Sequence, residues 1–429
     1  MVSKVLSEHK LKVFVESIWP RFNAWKSSNY AGSATIVSGN ESADLDSCMS
    51  SISYAYLYHC SLSFDDKIEE SKLVFPLFAI PREDLSLRLD IKYTLSQLKL
   101  SEKSLSFFDE FVSENIPNDK VTWVLVDHNS IQDQMKGLSP NVVGIIDHHD
   151  DEGLFKDSIA DVNGPRIIKK SGSCSSLVLT YWVDYFKQKN QSPSIIDQDI
   201  VNLALPPLLI DTSNMKSKVT EEDKESYSII KSVLNAGVSV SKVEDSDSAS
   251  QLYDTSKTSK SNLDGLSPRE LLRKDYKEWS GVSKSKTSAL SYETKLGIST
   301  VGESLTWITK NHADFFKALK DYSIERNTSV QVVMTSYSNS QTGKHERELV
   351  LLTKNNDVID ELVDEFISND KTLAELKLVG KDPEQFDTES INNDDTKIYI
   401  FQQRKAKASR KKVAPLLRQF IHGIETTLL

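Results

Sequence analysis

The stretch Val142-Val143-Gly144-Ile145-Ile146-Asp147-His148-His149 decides how this chain is read. An uncharged, mostly aliphatic run stops abruptly at an acid and two imidazoles. A short apolar run bounded in this way suits a strand buried on both faces of a parallel sheet. The pattern recurs on either side. Ser33–Ser38 (SATIVS) leads into Gly39-Asn40-Glu41-Ser42-Ala43-Asp44-Leu45-Asp46-Ser47, and Val121–Val126 (VTWVLV) leads into Asp127. Further on, the apolar stretch Leu203–Ile210 leads into Asp211-Thr212. Leu73–Ile80 is one more strand candidate. Helical spacing is predicted over Ala43–His59, Asp84–Leu100, Ser173–Tyr185 and Ile195–Ala204, the last ending before Pro206-Pro207. This alternation predicts an α/β class domain with an open, mostly parallel sheet flanked by helices.

Ligands of such sheets bind outside the carboxyl ends of the strands, so the four acid-bearing clusters are expected to share one crevice. Crowded carboxylates repel one another unless a cation neutralises them. Carboxylates with imidazole suit Mg2+, Mn2+ or Co2+. Asp44 and Asp46 lie two apart at a strand-to-helix turn, and Asp127 is placed to be shared between ions. Two ions roughly 3.5–4 Å apart generate a hydroxide and stabilise both oxygens of an in-line phosphoryl displacement. A lone Asp after a strand is more often a helix N-cap; that is the reading for Asp84 and Asp161, and Asp44 by itself also fits it. His59, His128, His312, His345 and His422 read as surface or core residues.

With 429 residues the chain is too long for one ordinary core, and two domains are expected. The first spans 1–237 and the second, a smaller α/β unit, 266–429. The stretch 238–265, rich in Ser, Asp, Lys and Thr, reads as a linker or surface excursion. In the second domain, strands are predicted at Val330–Ser336, Glu348–Thr353 and Lys397–Gln402, and helices at Asp314–Tyr322, Val358–Ser368 and Val413–Thr426. The net charge of −10 argues against binding nucleic acid over the whole surface. No apolar run reaches the roughly 20 residues that span a bilayer, so no membrane role is expected. The first ten residues lack the apolar core of a secretory signal. Cys48, Cys60 and Cys174 share no CxxC spacing, which suits a reducing compartment and predicts a cytoplasmic location.

A local basic patch stands out against the acidic whole. Ser409-Arg410-Lys411-Lys412 opens the last predicted helix, with Arg404, Lys405, Lys407 and Arg418 around it and no acid between Gln402 and Ile424. Helix N-termini favour anions, and added Arg and Lys make a site for phosphate oxygens. The bland alternative is a solvated basic face. Gly172-Ser173-Cys174-Ser175 offers backbone N–H groups to an anion, or is an ordinary N-cap. The P-loop pattern GxxxxGK[ST] is absent.

Taken together, GNESADLDS at 39–47, Asp127, Asp147-His148-His149 and Asp211-Thr212 resemble the successive motifs of the DHH phosphoesterase superfamily, in the family's order and over nearly the whole chain. The resemblance implies a dimetal catalytic site in which Asp44, Asp46, Asp127, His148 and Asp211 are metal ligands. It implies that His149 contacts a substrate phosphate and that Asp147 orients both histidines. The segment Ser409–Lys412 resembles the phosphate-binding motif of the family's accessory domain. Asp275-Tyr276-Lys277 resembles its Asp-x-Lys, in which the lysine touches substrate. Lys277, Arg410 and Lys411 are thereby substrate-binding candidates, whereas Arg273 and Lys274 read as helix-surface charges. Lys216 has a family-like spacing from Asp211 and is a weak signal. Asn40 departs from the bacterial pyrophosphatase pattern, which has a histidine ligand there; an amide is a poorer ligand for a transition metal. Gly-Asn-Glu looks like the eukaryotic exopolyphosphatase and prune branch, and the intact DHH favours the exopolyphosphatase side.

The expected activity is therefore hydrolysis of the terminal phosphoanhydride of inorganic polyphosphate, with two Mg2+ or Mn2+ (or Co2+) ions, by a monomer that closes its domains over the substrate. The alternatives are a pyrophosphatase or nucleotide phosphodiesterase, and a prune-like regulator acting through protein partners.

Overall fold

The computed structural model describes residues 10–64, 72–131, 135, 138, 141–191, 193–236, 246–285, 289–354, 356–386, 388 and 396–422. The chain divides into two units, Met1–Asn262 and Leu263–Leu429.

Five strands build the sheet of the first unit: β1 (Ala34–Ser38), β2 (Leu73–Leu77), β3 (Val121–Val126), β4 (Val142–Asp147) and β5 (Arg166–Ile168). All neighbours are parallel, in the order β2-β1-β3-β4-β5. β1 and β2 are buried throughout, and β3 and β4 at all but one position each, which is why these strands read as unbroken apolar runs. The connection reverses direction between β1 and β3, so the loops after these two strands flank the topological switch point, where such sheets bind ligands.

The helices of this unit are α1 (Lys10–Ser27), α2 (Leu45–Leu62), α3 (Leu89–Gln97), α4 (Phe108–Ser113), α5 (Lys156–Asp161), α6 (Cys174–Gln188), α7 (Gln198–Asp211), α8 (Glu221–Ala236) and α9 (Ser246–Ser261). The expected helix 84–100 is broken at Arg88 (φ −111°, ψ 67°), with a 3-10 turn, Arg82–Leu87, before α3. Asp84 lies inside that turn and Asp161 ends α5, so neither caps a helix N-terminus. α7 does not stop before Pro206 but runs through both prolines to Asp211. A proline inside a helix costs about 3 kcal/mol. Burial of Leu203, Ala204, Leu205, Leu208 and Leu209 offsets that cost, at roughly 1.5–3 kcal/mol for each large aliphatic side chain. Asp211 thus arrives from a helix end rather than a strand end.

The segment 238–265, expected as a linker or surface excursion, is helical over Ser246–Ser261. Residues 237–245 lie outside the described residues, but α9 is a regular helix that packs on α3 and α7 and belongs to the first unit. Its Ser, Asp, Thr and Lys content reflects an exposed outer face, not a linker.

The second unit is a mixed sheet of β6 (Tyr276–Lys284), β7 (Ser291–Val301), β8 (Val330–Thr335), β9 (Tyr337–Ser338), β10 (His345–Lys354), β11 (Leu378–Lys381) and β12 (Thr396–Gln403). The main path is β11-β12-β10-β8-β7-β6, antiparallel except for the β7–β8 pair, and β9 pairs with β10. Around it run α10 (Pro268–Lys274), α11 (Leu305–Asn311), α12 (Phe315–Glu325), α13 (Asp357–Ser368), α14 (Asp370–Leu376) and α15 (Arg410–His422). Leu296, Ile298, Val332, Leu351, Val363, Phe366 and Leu417 form its core. The last predicted helix starts three residues earlier than expected, and its expected final part, 423–426, lies outside the described residues.

Candidate functional site

The turn after β1 sets the first wall of the site. Gly39 is required there, because a Cβ would fall 2.7 Å from that of Ser47. Asp44 is the N-cap of α2, accepting the Ser47 N–H at 3.1 Å. Asp46, two residues further on in the first turn of α2, is 4 % exposed. Its oxygens accept the backbone N–H groups of Cys174 at 2.6 Å and Ser175 at 2.8 Å and the Ser50 hydroxyl at 3.2 Å. The anion served by the N-terminus of α6 is therefore Asp46 itself, a fixed part of the protein.

Asp127 stands just beyond β3 in the left-handed region (φ 62°), a conformation an aspartate tolerates but few residues prefer. Its Oδ2 accepts the Ser47 hydroxyl at 2.6 Å and the Asn40 side-chain amide at 2.8 Å. Its Oδ1 lies 3.1 Å from Nε2 of His148 and 3.8 Å from Nδ1 of His149. Nδ1 of His148 donates to the Ser171 carbonyl at 3.0 Å. A carbonyl can only accept, so this nitrogen carries the proton and Nε2 is the one presented to Asp127. Asp147 is fully buried and accepts from the N–H groups of His148 (2.8 Å) and His149 (3.3 Å), from Nδ1 of His149 (2.8 Å) and from the Asn129 amide. It holds the backbone N–H groups of both histidines and the ring of His149.

Burial and mutual repulsion set the electrostatics of these groups. Burial, and then the fields of Asp46 and Asp44, push the Asp127 carboxyl up to about 7 despite its bond to His148. Burial and the same two acids push Asp211 to about 9, against the pull of Lys260. Asp46 is also raised, mainly by burial. Burial opposes the charged form of His148, but Asp127 and Asp46 prevail and lift it to about 10. His149 is raised by its bond to Asp147. For Asp147 itself, burial is outweighed by the bonds from His149 and Asn129, and its carboxyl is lowered.

The donor set fits a divalent cation. Ligand atoms of Asp127, His148 and His149 lie within 4.8 Å of one another, and the crowded carboxylates of Asp46 and Asp211 act on the same centre. Asn40 is committed elsewhere: its amide nitrogen donates to Asp127 and its Oδ1 accepts the Ser42 N–H at 2.9 Å. A carboxylate cannot donate, so the nitrogen must face Asp127. Asn40 thereby steadies a carboxylate in place of the histidine of the bacterial pattern. His128 is a core residue, its Nδ1 bonded to the Val126 carbonyl and its basicity lowered to about 4 by burial. Ser47, Asn129 and the Ser171 carbonyl were not foreseen; they reach the site across 80, 18 and 23 residues, and no spacing rule announces them.

Comparison with known proteins now bears on this geometry. The "DHH family, N-terminal domain" description matches residues 34–206, and the "DHHA2 domain" description residues 255–420. A Schizosaccharomyces pombe protein named "Putative exopolyphosphatase" is 33% identical over 407 residues, which is 92% of each chain. The chain belongs to the DHH family. Another relative of this DHH protein is mouse "Exopolyphosphatase PRUNE1", 24% identical over 71% of this chain and 60% of that protein. A solved structure titled as a Methanococcus jannaschii "putative family II inorganic pyrophosphatase" covers 90% of the DHH chain and 99% of its own, with 18% identity and a TM-score of 0.49.

Within the DHHA2 region, the second unit brings its two motifs together. Arg410, at the start of α15, donates to the Asp275 carboxylate at 2.7 Å, to the Asp275 carbonyl at 2.8 Å and to the Thr300 hydroxyl at 3.4 Å. Lys277 and Lys411 are exposed, and Lys412 is drawn aside by Glu375 at 2.6 Å.

Proposed function

We propose that this DHH-family protein is an exopolyphosphatase, which hydrolyses the terminal phosphoanhydride of inorganic polyphosphate and releases orthophosphate. The observation that carries the reading is the Asp127–His148–His149 cluster at the switch point, in a chain similar over 92% of its length to a protein named for that activity.

In this reading Asp44, Asp46, Asp127, His148 and Asp211 would hold two divalent ions, Mg2+ or Mn2+. Bound there, such ions polarise phosphoryl oxygens and make a coordinated water acidic. The protein's own groups do the rest. Asp46 and Asp127 are fixed before substrate arrives, which removes the cost of ordering them during reaction. His149, half exposed, with its Nδ1 held by Asp147 and its basicity raised by that bond, donates to a phosphate oxygen. Arg410, held by Asp275, and the exposed Lys277 and Lys411 bind phosphates of the chain through charge-assisted hydrogen bonds. The first unit is thus the catalytic domain and the second the substrate-binding domain. The free thiols Cys48, Cys60 and Cys174 support a cytoplasmic location, and the protein works as a monomer. Among the described residues no helix is long and apolar enough to cross a membrane.

The test is phosphate release from long polyphosphate and from pyrophosphate side by side, with Mg2+ and then with EDTA. The reading requires faster release from polyphosphate and none with EDTA. Preference for pyrophosphate, or release from neither, removes the substrate assignment.

A further inference from the structure

Asp223, the third residue of α8, belongs to none of the motifs above, yet it is fully buried. Five donors converge on it. Its Oδ1 accepts the hydroxyls of Ser171 at 2.9 Å and Ser176 at 2.8 Å; its Oδ2 accepts the N–H groups of Gly172 and Thr220, both at 2.8 Å, and the Thr220 hydroxyl at 2.9 Å. No cation pairs with it among the described residues. A carboxylate without a counter-ion survives burial only when hydrogen bonds replace its water. Here they more than compensate for burial and keep the group ionised, below its ordinary range.

Helix capping explains only part of this. Thr220 and Asp223 form the reciprocal pair that starts α8. The other three donors come from residues 171–176, about fifty positions away, and do nothing for α8. They clamp the turn that leads into α6. Gly172 is pressed so closely into place that a Cβ would stand 2.8 Å from Oδ2 of Asp223 and 2.5 Å from the Thr212 side chain. The clamped segment serves two candidate ligands: the Ser171 carbonyl receives Nδ1 of His148, and the Cys174 and Ser175 N–H groups hold Asp46, so the His148 ring signals are what tell the two apart.

We propose that Asp223 is a positioning residue for His148: by clamping the Ser171–Gly172 turn, it fixes the carbonyl that sets the imidazole's tautomer and leaves Nε2 as the ligand nitrogen. The inference rests on the reading of His148 as a metal ligand. Metal-bound histidines depend on such outer partners, whose loss costs about 10- to 100-fold in metal affinity. An asparagine at 223 keeps a single acceptor oxygen and no charge, so it cannot accept from all five donors at once.

The experiment is titration of the full-length protein with Mn2+ by calorimetry, for wild type, Asp223→Asn, Thr220→Ala, the pair Ser171→Ala with Ser176→Ala, and His148→Ala. The His148 ring signals are followed by NMR in each. Thr220→Ala removes the cap and spares the clamp, so it should lower the melting temperature and keep wild-type affinity and a Nδ1–H signal. Asp223→Asn should weaken Mn2+ by about 10- to 100-fold and lose that signal. The serine pair should show a smaller loss of affinity, and it decides the matter if Asp223→Asn does not fold. Wild-type affinity in both Asp223→Asn and the serine pair, or in the serine pair alone should the other not fold, overturns the proposal while leaving the ligand reading intact. Wild-type affinity in His148→Ala overturns the ligand reading and this inference with it.

Discussion

The two units hold their candidate site residues in opposite ways. In the first, Asp46, Asp127 and Asp147 are 4, 3 and 0 % exposed, and each has its carboxylate engaged before any ligand arrives. In the second, Lys277 and Lys411 are exposed, and Arg410 is held by Asp275. The difference matches the role proposed for each set. Groups that act at one reacting phosphorus gain from fixed geometry, since misplacement is felt directly in rate. Groups that meet a repeating polyanion need charge more than register, and a flexible lysine supplies a point charge.

The sharpest way to break this comparison is to delete one member of each set. Asp127→Ala is expected to lower kcat by well over about 100-fold, beyond the range for a residue outside the ligand set. Activity within a few-fold of wild type would show that the buried cluster is not the reacting centre. Arg410→Ala should act mainly on KM for polyphosphate, raising it about 10-fold or more, since a hydrogen bond to a charged group is worth about 1.5–3 kcal/mol. Lys411→Ala should do the same more weakly. If kcat falls instead with KM unchanged, Arg410 belongs with the reacting groups and the contrast between units fails.

A stability measurement sharpens the comparison further. Asp127 and Asp211 have folded-state values of about 7 and 9, and His148 about 10, all above their ordinary ranges. A group raised on folding contributes stability that is complete below its unfolded value and is lost as pH rises through its folded value. The metal-free protein should therefore melt at lower temperature at pH 9 than at pH 6, and saturating Mg2+ or Mn2+ should narrow the gap. Melting curves with and without EDTA check this; equal curves would mean that the acids do not face a common centre. Asn40→Ala should have the smallest effect, a few-fold weaker Mn2+ binding, because it removes one neutral donor worth roughly 1 kcal/mol from Asp127.

How much of this was legible in the sequence depends on how each feature is encoded. β3 and β4 were bounded within a residue because burial on both faces leaves an unbroken apolar run ending in a polar signal. β6 carries Lys277, Glu278, Ser280 and Gly281 and lies at the sheet edge, half exposed, so no apolar run marks it. α1 has a clear helical stripe, Leu11, Phe14, Val15, Ile18, Phe22 and Trp25, which a search for strand-end acids passes over. The two prolines of α7 concealed that Asp211 ends a helix, since local propensity says stop where tertiary packing says continue. The clustered Asp127, His148 and His149 lie beside apolar runs and were legible there, whereas Ser47, Asn129 and Ser171, which act across the fold by hydrogen bonds, were not. Thr220-x-x-Asp223 announces a helix cap, but nothing local announces that the same carboxylate reaches Ser171 and Gly172.

The measurement that tests the account most directly is a 31P NMR time course of long polyphosphate with the wild-type protein and Mg2+, with Asp127→Ala alongside. Removal of terminal phosphates by the buried cluster predicts that orthophosphate grows while the number of chain ends stays constant until the chains are nearly consumed, and that Asp127→Ala abolishes both changes. An early rise in chain ends, or orthophosphate release that survives in Asp127→Ala, would contradict it.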